Sequence, residues 1–523
     1  MTFPARETQI WAIIGLDVPS MTMAVSESDT DVPAAYEQLL ERYRRLMNLQ
    51  YASMYLNWDQ QVMMPEGGAP GRAQQLSAIS ATSHELLVED EVGEWLDDLE
   101  GADLTDDQAA CVREIRHEYE RDANVPSELV EQITQTASEN QQIWQDAKAE
   151  DDFDSFAPRL ERMRDLTRER AQHIDPDKPP YEVMYEDTHR YIPIETMEEI
   201  FETLKEEIPP LVEDIRENGR SLAQPFDSEY PEEEQEALSE AVLELLGYDF
   251  NRGRLDTAPH PFMSGNQFDA RVTTRFNPED PMDALTATIH EFGHATYQLG
   301  LRQEEYGTPL GAPVYSIHES QSRFWENHVG RTEPFMTHLL PLVKEHLSGT
   351  DDLTEQELYE AMNQINPDNL IRVEADELTY HMHIILRCEI DRAFVEGDIE
   401  VDEIPQLWNE KMDSYLGITP DTDTEGCLQD IHWTSGFANF WTYTLGSVVT
   451  AQLDAAIREE LDVDGLIQEG NFDPLHEWMT ENIHEQGQRY ETPELIERAT
   501  GEPLTADYFV EYAYDKFEDL YDL

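Results

Sequence analysis

The sequence has little positive charge. Its 523 residues include 112 Asp and Glu but only 35 Lys and Arg, of which six are Lys, so the formal net charge is −77. Proteins that recognise nucleic acid or an anionic membrane surface do so first through basic residues that neutralise phosphate. The composition therefore excludes nucleic acid and anionic membranes as expected partners.

The shortage of lysine beside an excess of carboxylates is typical of halophilic proteins. In molar salt the Debye length falls to about 3 Å, which screens the mutual repulsion of the carboxylates. The acidic residues are spread along the chain in short runs, which argues against the alternative of a local acidic patch for a basic partner. We expect a protein that works in a salt-rich cytoplasm.

Cysteine and long apolar runs are also scarce. The three cysteines, Cys111, Cys388 and Cys427, are odd in number and far apart, which predicts a reducing cytoplasm and no disulfide framework. The apolar stretch 10–16 is too short to cross a bilayer and lacks the flanks of a signal peptide. We expect residues 1–30 to be poorly ordered or an over-extended start.

What is present is enough apolar surface for a large core, because 39% of the residues are hydrophobic. From residue 32 onward most windows show helical spacing, and no long linker or repeat interrupts them. Residues 268–276 alternate and contain β-branched side chains, which predicts a strand or hairpin. The sequence therefore predicts a mostly α fold, with residues 31–523 as one α-helical domain that can form two lobes, and one small β element.

The segment that follows the predicted strand carries the motif HExxH. His290 and His294 are four residues apart, so they share one face of a helix and can both reach one Zn²⁺ at roughly 2.0–2.1 Å. Glu291 then lies beside the ion, where it can take a proton from a water held there. The alternative is a pair of histidines buried on a helix face without a metal.

The ends of this helix are marked by residues that suit them. Asp280 is a candidate N-cap and Pro281 fits the first turn. Gly300 is a candidate for the C-terminal stop. The sequence therefore predicts one uninterrupted helix through the motif.

A catalytic zinc site takes a third protein ligand. Within residues 314–328, Glu319 is the best candidate and His318 is its nearest rival. The spacing of Ser316 and Glu319 is also that of a capping box, in which the carboxylate only closes the helix start. The residues alone leave both interpretations of Glu319 open. Glu326, two turns on, is a candidate partner for an imidazole N–H.

Several blocks of sequence together resemble the carboxypeptidase Taq family of metallocarboxypeptidases. The blocks are HEFGHA at 290–295, IHESQSR at 317–323, HPF at 260–262, DxRxT at 269–273, IRVEADELTY at 371–380, GCLQDIHW at 426–433, and LNWD, MPxGG and RAQQL between residues 56 and 76. They run in order from about residue 35 to the end, which is far more specific than HExxH alone. The stretch 438–443 departs from the family, which typically has a tyrosine where this chain has Asn439.

The resemblance implies a mostly α-helical, zincin-like fold with a deep substrate groove, a homodimer, and one divalent metal, Zn²⁺ or sometimes Co²⁺. It also implies an enzyme that releases C-terminal amino acids from peptides with broad specificity, poorly before proline. Under this resemblance His290, His294 and Glu319 are the metal ligands and Glu291 is the general base.

An exopeptidase must hold the terminal carboxylate of its substrate, and a planar guanidinium is the best fork for it. Arg372 is the first candidate, and the alternative is a structural ion pair with Glu374 or Asp376. Arg271 is the second candidate, although Asp269 two residues away favours a local pair.

Donors to the transition-state oxyanion are the remaining requirement. His432 and Tyr443 are candidates, and each can equally be a core residue. His260, from the HPF block, is a further candidate for substrate binding. Two other functions stay open: an endo-acting oligopeptidase of the thimet type, which also has HEFGHA, and a non-catalytic metal-binding protein.

Overall fold

The computed structural model describes residues 32–523, so the prediction for residues 1–30 falls outside the described part of the chain. The described part is mostly helical, as predicted, with twenty α-helices and three short strands. None of the helices in residues 32–523 is long and apolar enough to cross a membrane.

Nine helices precede the strands. They are α1 (Ala34–Val62), α2 (Ala69–Val88), α3 (Asp90–Asp98), α4 (Asp106–Ala123), α5 (Ser127–Glu150), α6 (Phe153–Ile174), α7 (Pro180–His189), α8 (Ile194–Asn218) and α9 (Glu232–Leu246). Their apolar residues recur at helical spacing and face inward, as in α8, where Phe201, Leu204 and Ile208 are all buried. This is the periodicity from which the helices were predicted.

The small β element is a three-stranded sheet with strand order β1–β3–β2. The strands are β1 (Leu255–Thr257), β2 (Met263–Gly265) and β3 (Ala270–Thr274). β3 is central, parallel to β1 and antiparallel to β2, with Val272 opposite both Leu255 and Met263. The strand predicted within 268–276 is therefore confirmed as β3.

Eleven helices follow the sheet within the described residues. They are α10 (Pro281–Gly300), α11 (His318–Arg323), α12 (Glu333–His346), α13 (Glu355–Met362), α14 (Thr379–Glu396), α15 (Ile404–Leu416), α16 (Trp441–Glu460), α17 (Val463–Glu469), α18 (Asp473–Asn482), α19 (Thr492–Thr500) and α20 (Asp507–Tyr521). A π-helical segment, Phe324–Gly330, continues α11 without a break. Such wide turns are rare and often occur at functional sites.

Helix α10 carries the HExxH motif and lies in the centre of the main core. The Asp280 side chain accepts hydrogen bonds from the backbone N–H groups of Met282 and Asp283, so the predicted N-cap is confirmed. Gly300 is the last helical residue, and Leu301 is the C-cap. Ile289 and Phe292 are fully buried in the largest apolar cluster. The apolar face of α10 thus fixes the helix, and its polar residues 290 and 294 are only partly buried.

The N-terminal helices have a smaller apolar cluster of their own. It joins α1, α3 and α4 through Leu39, Leu46, Val92, Leu96 and Ile115. The chain thus has a large core around α10 and a separate small one beside it. Whether these behave as two lobes stays a prediction.

Candidate active site

Three side chains from two helices converge beside α10: His290, His294 and Glu319. Glu319 Oε2 lies 3.6 Å from His290 Nε2 and 3.5 Å from His294 Nε2. The ligand atoms of all three residues lie within 4.8 Å of one another, and this is the one such group found among the described residues. His318, the rival ligand, is not part of the group; its ring packs on that of His294, with centroids 4.4 Å apart.

These distances fit a metal ion. Ligands held at about 2.0–2.2 Å in a tetrahedral site stand roughly 3.3–3.5 Å from one another. Glu319 Oε2 is close to that separation from each of the two imidazole nitrogens, and the set of two histidines and one carboxylate is a common catalytic one for zinc. The residues present can therefore hold a divalent ion and leave a position open for water or substrate.

The capping-box interpretation of Glu319 is wrong. Helix α11 has no side-chain cap, and the Ser316 hydroxyl lies 2.8 Å from the hydroxyl of Thr492 instead. The Glu319 carboxylate is therefore free of the helix start and faces the two histidines.

Two glycines let α11 approach closely enough for this. A Cβ at Gly293 in α10 would lie 2.4 Å from the carbonyl oxygen of Gln321, and a Cβ at Gly446 in α16 would lie 2.5 Å from Cγ of Glu319. Neither separation is possible between real atoms, so α11 fits between α10 and α16 only because both positions lack a side chain. The glycine of HEFGHA thus serves the placement of the third carboxylate.

A ring of charged groups supports the three residues. Glu326, on the π-helical segment, lies 2.8 Å from His290 Nδ1, as the sequence predicted for an imidazole partner. Because a carboxylate only accepts, Nδ1–H is the donor and Nε2 keeps its lone pair for a metal. Arg323 donates to Glu319 and Glu326 at 3.1 Å each, and Arg331 donates to Glu326 at 2.7 Å.

These contacts set the charge of the carboxylates. Burial by itself raises the pKa of Glu319, but the neighbouring imidazoles and Arg323 outweigh it and lower the pKa to about 2. The pKa of Glu326 is likewise held well below its usual range by Arg323 and Arg331 against the effect of burial. Both carboxylates are therefore ionised at neutral pH.

Glu291 behaves differently. It is 7% exposed, and burial raises the pKa of its carboxyl although the two histidines oppose the shift. A carboxylate in an apolar setting is a stronger base than one in water. The environment of Glu291 therefore suits proton transfer.

The predicted substrate residues fall into two groups. Arg372 and Tyr443 lie together near Glu319, with Tyr380 between them: the Tyr380 and Tyr443 rings are 6.1 Å apart, and Tyr380 also lies 5.3 Å beneath the Arg323 guanidinium. Burial and then the neighbouring Tyr380 and Glu319 raise the pKa of Tyr443, so its hydroxyl stays protonated.

The alternative interpretation of Arg372, a structural ion pair with Glu374 or Asp376, is not observed. Neither Glu374 nor Asp376 pairs with it; Arg372 Nη2 lies 3.5 Å from Asp430 Oδ1. The same oxygen lies 2.6 Å from His432 Nδ1. Arg372 and His432, predicted independently, are thus brought together by a carboxylate that the sequence analysis had not singled out.

The second group, Arg271 and His260, lies beside helix α1 and the small sheet. Arg271 forms the local ion pair with Asp269 that the sequence favoured, at 2.7 Å. Its guanidinium lies 4.3 Å from the centroid of the Trp58 ring. His260 is exposed, with Nδ1 2.8 Å from the carbonyl oxygen of Pro261.

A cavity of about 760 Å³ extends from His260 between α1, α2 and β2. It is lined by Gln50, Ser53, Met54, Asn57, Trp58, Gln61, Ser80, Ser83, His260, Phe262, Met263 and Ser264. No Asp, Glu, Lys or Arg occurs among these described lining residues, although the protein as a whole carries 112 carboxylates. The cavity is therefore a neutral surface within an acidic protein.

Sequence reasoning missed four residues of the site. Arg323 had a usable signal, because it is four residues after Glu319 and three before Glu326 on one helical face. Tyr380 and Asp430 lie inside the recognised blocks, but nothing in their local spacing indicates their neighbours. Arg331 contacts Glu326 only because the helix widens between them.

The fold and the site define a helical metallopeptidase of the HExxH class, in which Glu319 from a second helix joins His290 and His294 in a group that can hold a metal ion. The chain belongs to the family described as carboxypeptidase Taq (M32) metallopeptidase, whose model matches residues 38–517. It is a metallocarboxypeptidase, and its family works with a divalent metal ion. Membership of this family favours a carboxypeptidase over the two other functions left open by the sequence, an endo-acting oligopeptidase and a non-catalytic metal-binding protein.

The relatives cover nearly the whole chain. Thermostable carboxypeptidase 1 of Thermus thermophilus is 36% identical over 506 residues, 93% of this chain and 99% of its own length. Carboxypeptidase 1 of Bacillus subtilis is 35% identical over 494 residues, 93% of this chain and 98% of its own. The structure of Pyrococcus furiosus carboxypeptidase superposes with a TM-score of 0.90 at 33% identity, covering 93% of this chain and 99% of that one.

Proposed function

We propose that the enzyme is a zinc carboxypeptidase in which His290, His294 and Glu319 hold the ion and Glu291 is the general base. The observation that carries this proposal is the 3.5–3.6 Å spacing of the two Nε2 atoms from Glu319 Oε2. Zn²⁺ fits two imidazoles and a carboxylate, and Co²⁺ is an alternative ion for the same donors. When bound, the ion would activate water and polarise the scissile carbonyl.

The chain's own residues carry the remaining steps. The Glu291 carboxylate takes the proton of the attacking water and passes it to the leaving amine. Arg323 keeps Glu319 ionised and in place, while Glu326 orients His290 through Nδ1–H. Tyr443 and His432 are proposed to donate to the oxygen on which charge develops.

Arg372 is proposed to bind the terminal carboxylate of the peptide. It is 8% exposed, and its Nε has no hydrogen-bond partner among the described residues. A buried guanidinium with an unused N–H is costly unless a ligand supplies the acceptor. A substrate carboxylate supplies it, and the requirement for that carboxylate makes the enzyme an exopeptidase.

The neutral cavity beside His260 is proposed to take the part of the peptide N-terminal to the scissile bond. Trp58 and Ser264 line it, both about 95% buried, and each has a polar atom without a partner among the described residues. The guanidinium groups of Arg271 and Arg254 lie over the ring of Trp58, 4.3 and 5.3 Å from its centroid. Neutral polar and apolar lining groups suit a peptide backbone with varied side chains, in agreement with a broad specificity that is poor before proline.

The deciding experiment compares N-blocked peptides with a free or an amidated C-terminus, in molar KCl with Zn²⁺ or Co²⁺. We expect single C-terminal amino acids to be released from the free peptides. The amides should react at least about 30-fold more slowly in kcat/KM, because loss of one partner of a buried charge pair costs about 2 kcal/mol or more. Internal cleavage of both peptides at equal rates would rule the proposal out.

We further propose a cytoplasmic enzyme that acts on peptides as a homodimer. The cytoplasm follows from the three cysteines, all of which are free and buried. The homodimer follows from the family resemblance. Sedimentation equilibrium in molar KCl, which reports the mass in solution, tests it against the chain mass of 60.4 kDa.

A further inference from the structure

Asp430 lies at the centre of a buried cluster on the Arg372 side of the site. Its side chain is 1% exposed. Oδ1 accepts a hydrogen bond from His432 Nδ1 at 2.6 Å and lies 3.5 Å from Arg372 Nη2, whereas Oδ2 accepts from Arg387 Nε at 3.1 Å. One carboxylate thus connects both proposed substrate residues to a buried arginine.

The contact with Asp430 orients Arg372 and leaves some of its N–H groups free to bind a substrate. Its backbone N–H donates to Gln429 Oε1 at 2.8 Å, and its guanidinium lies 5.1 Å from the ring of Phe440. Asp430 takes one Nη, and Nε stays without a partner among the described residues. A guanidinium held by one edge can offer its other N–H groups to a planar carboxylate.

The same carboxylate sets the protonation pattern of His432. Because a carboxylate only accepts, Nδ1 carries a hydrogen and Nε2 is the nitrogen available to substrate, where it donates to an oxyanion in the imidazolium form. The His432 side chain is 32% exposed, while Asp430 behind it is shielded. The ring is also fixed against Phe440, with centroids 4.9 Å apart.

Arg387 anchors the arrangement from the core. It is 0% exposed, lies 3.2 Å from the centre of the Trp433 ring, and is also paired through Nη1 with Asp391. Burial raises the pKa of Asp430, but the hydrogen bond from His432 and the two arginines outweigh it and hold the pKa well below its usual range. Asp430 is therefore a fixed anion that cannot rotate away from either partner.

We propose that Asp430 is a positioning residue of the carboxypeptidase reaction, which fixes the plane of Arg372 for the substrate's terminal carboxylate and directs Nε2 of His432 toward the substrate. The inference rests on the proposed roles of Arg372 and His432. It predicts that Asp430 governs recognition of the carboxylate and leaves metal binding untouched.

The test compares Asp430→Asn with Asp391→Asn. Asp391 is the matched control, because it is equally buried and shares Arg387, but it contacts neither Arg372 nor His432. Two inhibitors are used as probes: N-acetyl-leucine, which carries a carboxylate, and acetohydroxamate, which binds a metal and has no carboxylate. Each inhibition constant is measured against hydrolysis of a free-terminus peptide.

For Asp430→Asn we expect the inhibition constant of N-acetyl-leucine and the KM of the peptide to rise about tenfold or more, with the acetohydroxamate constant unchanged. For Asp391→Asn we expect both constants to stay within about twofold of wild type. Equal effects of the two substitutions would mean that Asp430 only neutralises the charge of Arg387, which would overturn the proposal. An unchanged inhibition constant of N-acetyl-leucine for Asp430→Asn would also overturn it.

A double-mutant cycle adds a readout that a structural role would not produce. In an Arg372→Ala background, Asp430→Asn should weaken N-acetyl-leucine binding by less than twofold further, because the arginine through which it acts on the inhibitor's carboxylate is gone. Additive losses would contradict the proposal. If Asp430→Asn does not fold, Asp430→Glu is used instead, because it keeps a carboxylate next to Arg387 but displaces it. We expect the same selective loss of N-acetyl-leucine binding. Wild-type inhibition constants for Asp430→Glu would overturn the proposal. Failure of the proposed function itself would show separately, as wild-type cleavage of amidated peptides.

Discussion

At the scale of single residues, environment separates three carboxylates that lie within one site. Glu319 and Glu326 face imidazoles and arginines and are ionised, whereas Glu291 is buried with a raised pKa. The same chemical group can thus take the three proposed roles of ligand, support for a histidine and base, because its neighbours differ.

Replacement of Glu291 by Gln should keep the metal and remove the base. We expect kcat to fall by about 10²–10⁴-fold, the range that a general base contributes, with metal content per chain unchanged. Hydrolysis rates and elemental analysis of the same samples check this. The exposed Glu304→Gln is the control, and substantial turnover by Glu291→Gln would refute the assignment.

Glu118 in α4 makes a second prediction, on stability. It accepts a hydrogen bond from the Tyr43 hydroxyl at 2.8 Å, and burial raises its pKa to about 7. Between the unfolded pKa of about 4.3 and pH 7 the folded state therefore holds a proton that the unfolded state has lost, so stability falls as pH rises.

Glu118→Gln keeps an acceptor for Tyr43 and removes this titration. The variant and wild type should unfold at equal denaturant concentration at pH 4, and the variant should be more stable at pH 8, by at most about 4 kcal/mol. Denaturant unfolding at both pH values measures the difference. A stability difference independent of pH would contradict the raised pKa.

At the scale of elements, the metal site depends on how closely three helices pack. α11 carries Glu319 into the space between α10 and α16, and the absent side chains of Gly293 and Gly446 make that space. Precise ligand placement is thus a property of backbone approach, and a single methyl group is enough to disturb it.

Gly446→Ala should weaken metal binding although residue 446 is not a ligand. Its Cβ would lie 2.5 Å from Glu319 Cγ, so the carboxylate must shift. We expect metal affinity to fall by about tenfold or more, as when a ligand loses its support, measured by competition with a chelator. Gly67→Ala, whose Cβ meets nothing within 4 Å, is the control. Wild-type affinity in a folded Gly446→Ala protein would show that the packing tolerates the methyl group.

At the scale of the whole molecule, the net charge reflects the salt-rich surroundings expected for the protein and not the chemistry of its site. The site is locally balanced by Arg323, Arg331 and Arg372, and the large cavity has no charged lining residue among those described. The net charge of −77 therefore belongs to the remaining surface, where like charges repel in dilute buffer.

Salt should therefore stabilise the protein. Between about 0.1 M and 3 M KCl we expect the thermal midpoint to rise by about 10 °C or more, because the Debye length shrinks to a few ångströms. Sucrose at low salt is the control, since it favours compact states without screening charge. A midpoint that KCl does not change, or that sucrose raises equally, would contradict screening as the cause.

Much of this could be predicted from the sequence. The helices were predicted because apolar residues at 3.6-residue spacing define a buried face locally, and β3 was predicted from its alternation. The contact between Glu326 and an imidazole was also predicted, because metal-binding histidines usually donate their second ring N–H to a nearby carboxylate. The alternative considered for Arg372, an ion pair with Glu374 or Asp376, is not observed, and its contact with Asp430 could not be predicted because Asp430 is 58 residues away.

The sequence by itself determined the helical class, the shared face of His290 and His294, and the acidic surface, because each depends on residue type and short-range periodicity. Only the tertiary structure decided that Glu319 is a partner of the histidines rather than a helix cap, and that Asp430 joins Arg372 to His432. Those relations depend on the packing of helices from distant parts of the chain, where a glycine at the contact sets the approach and local spacing carries no information.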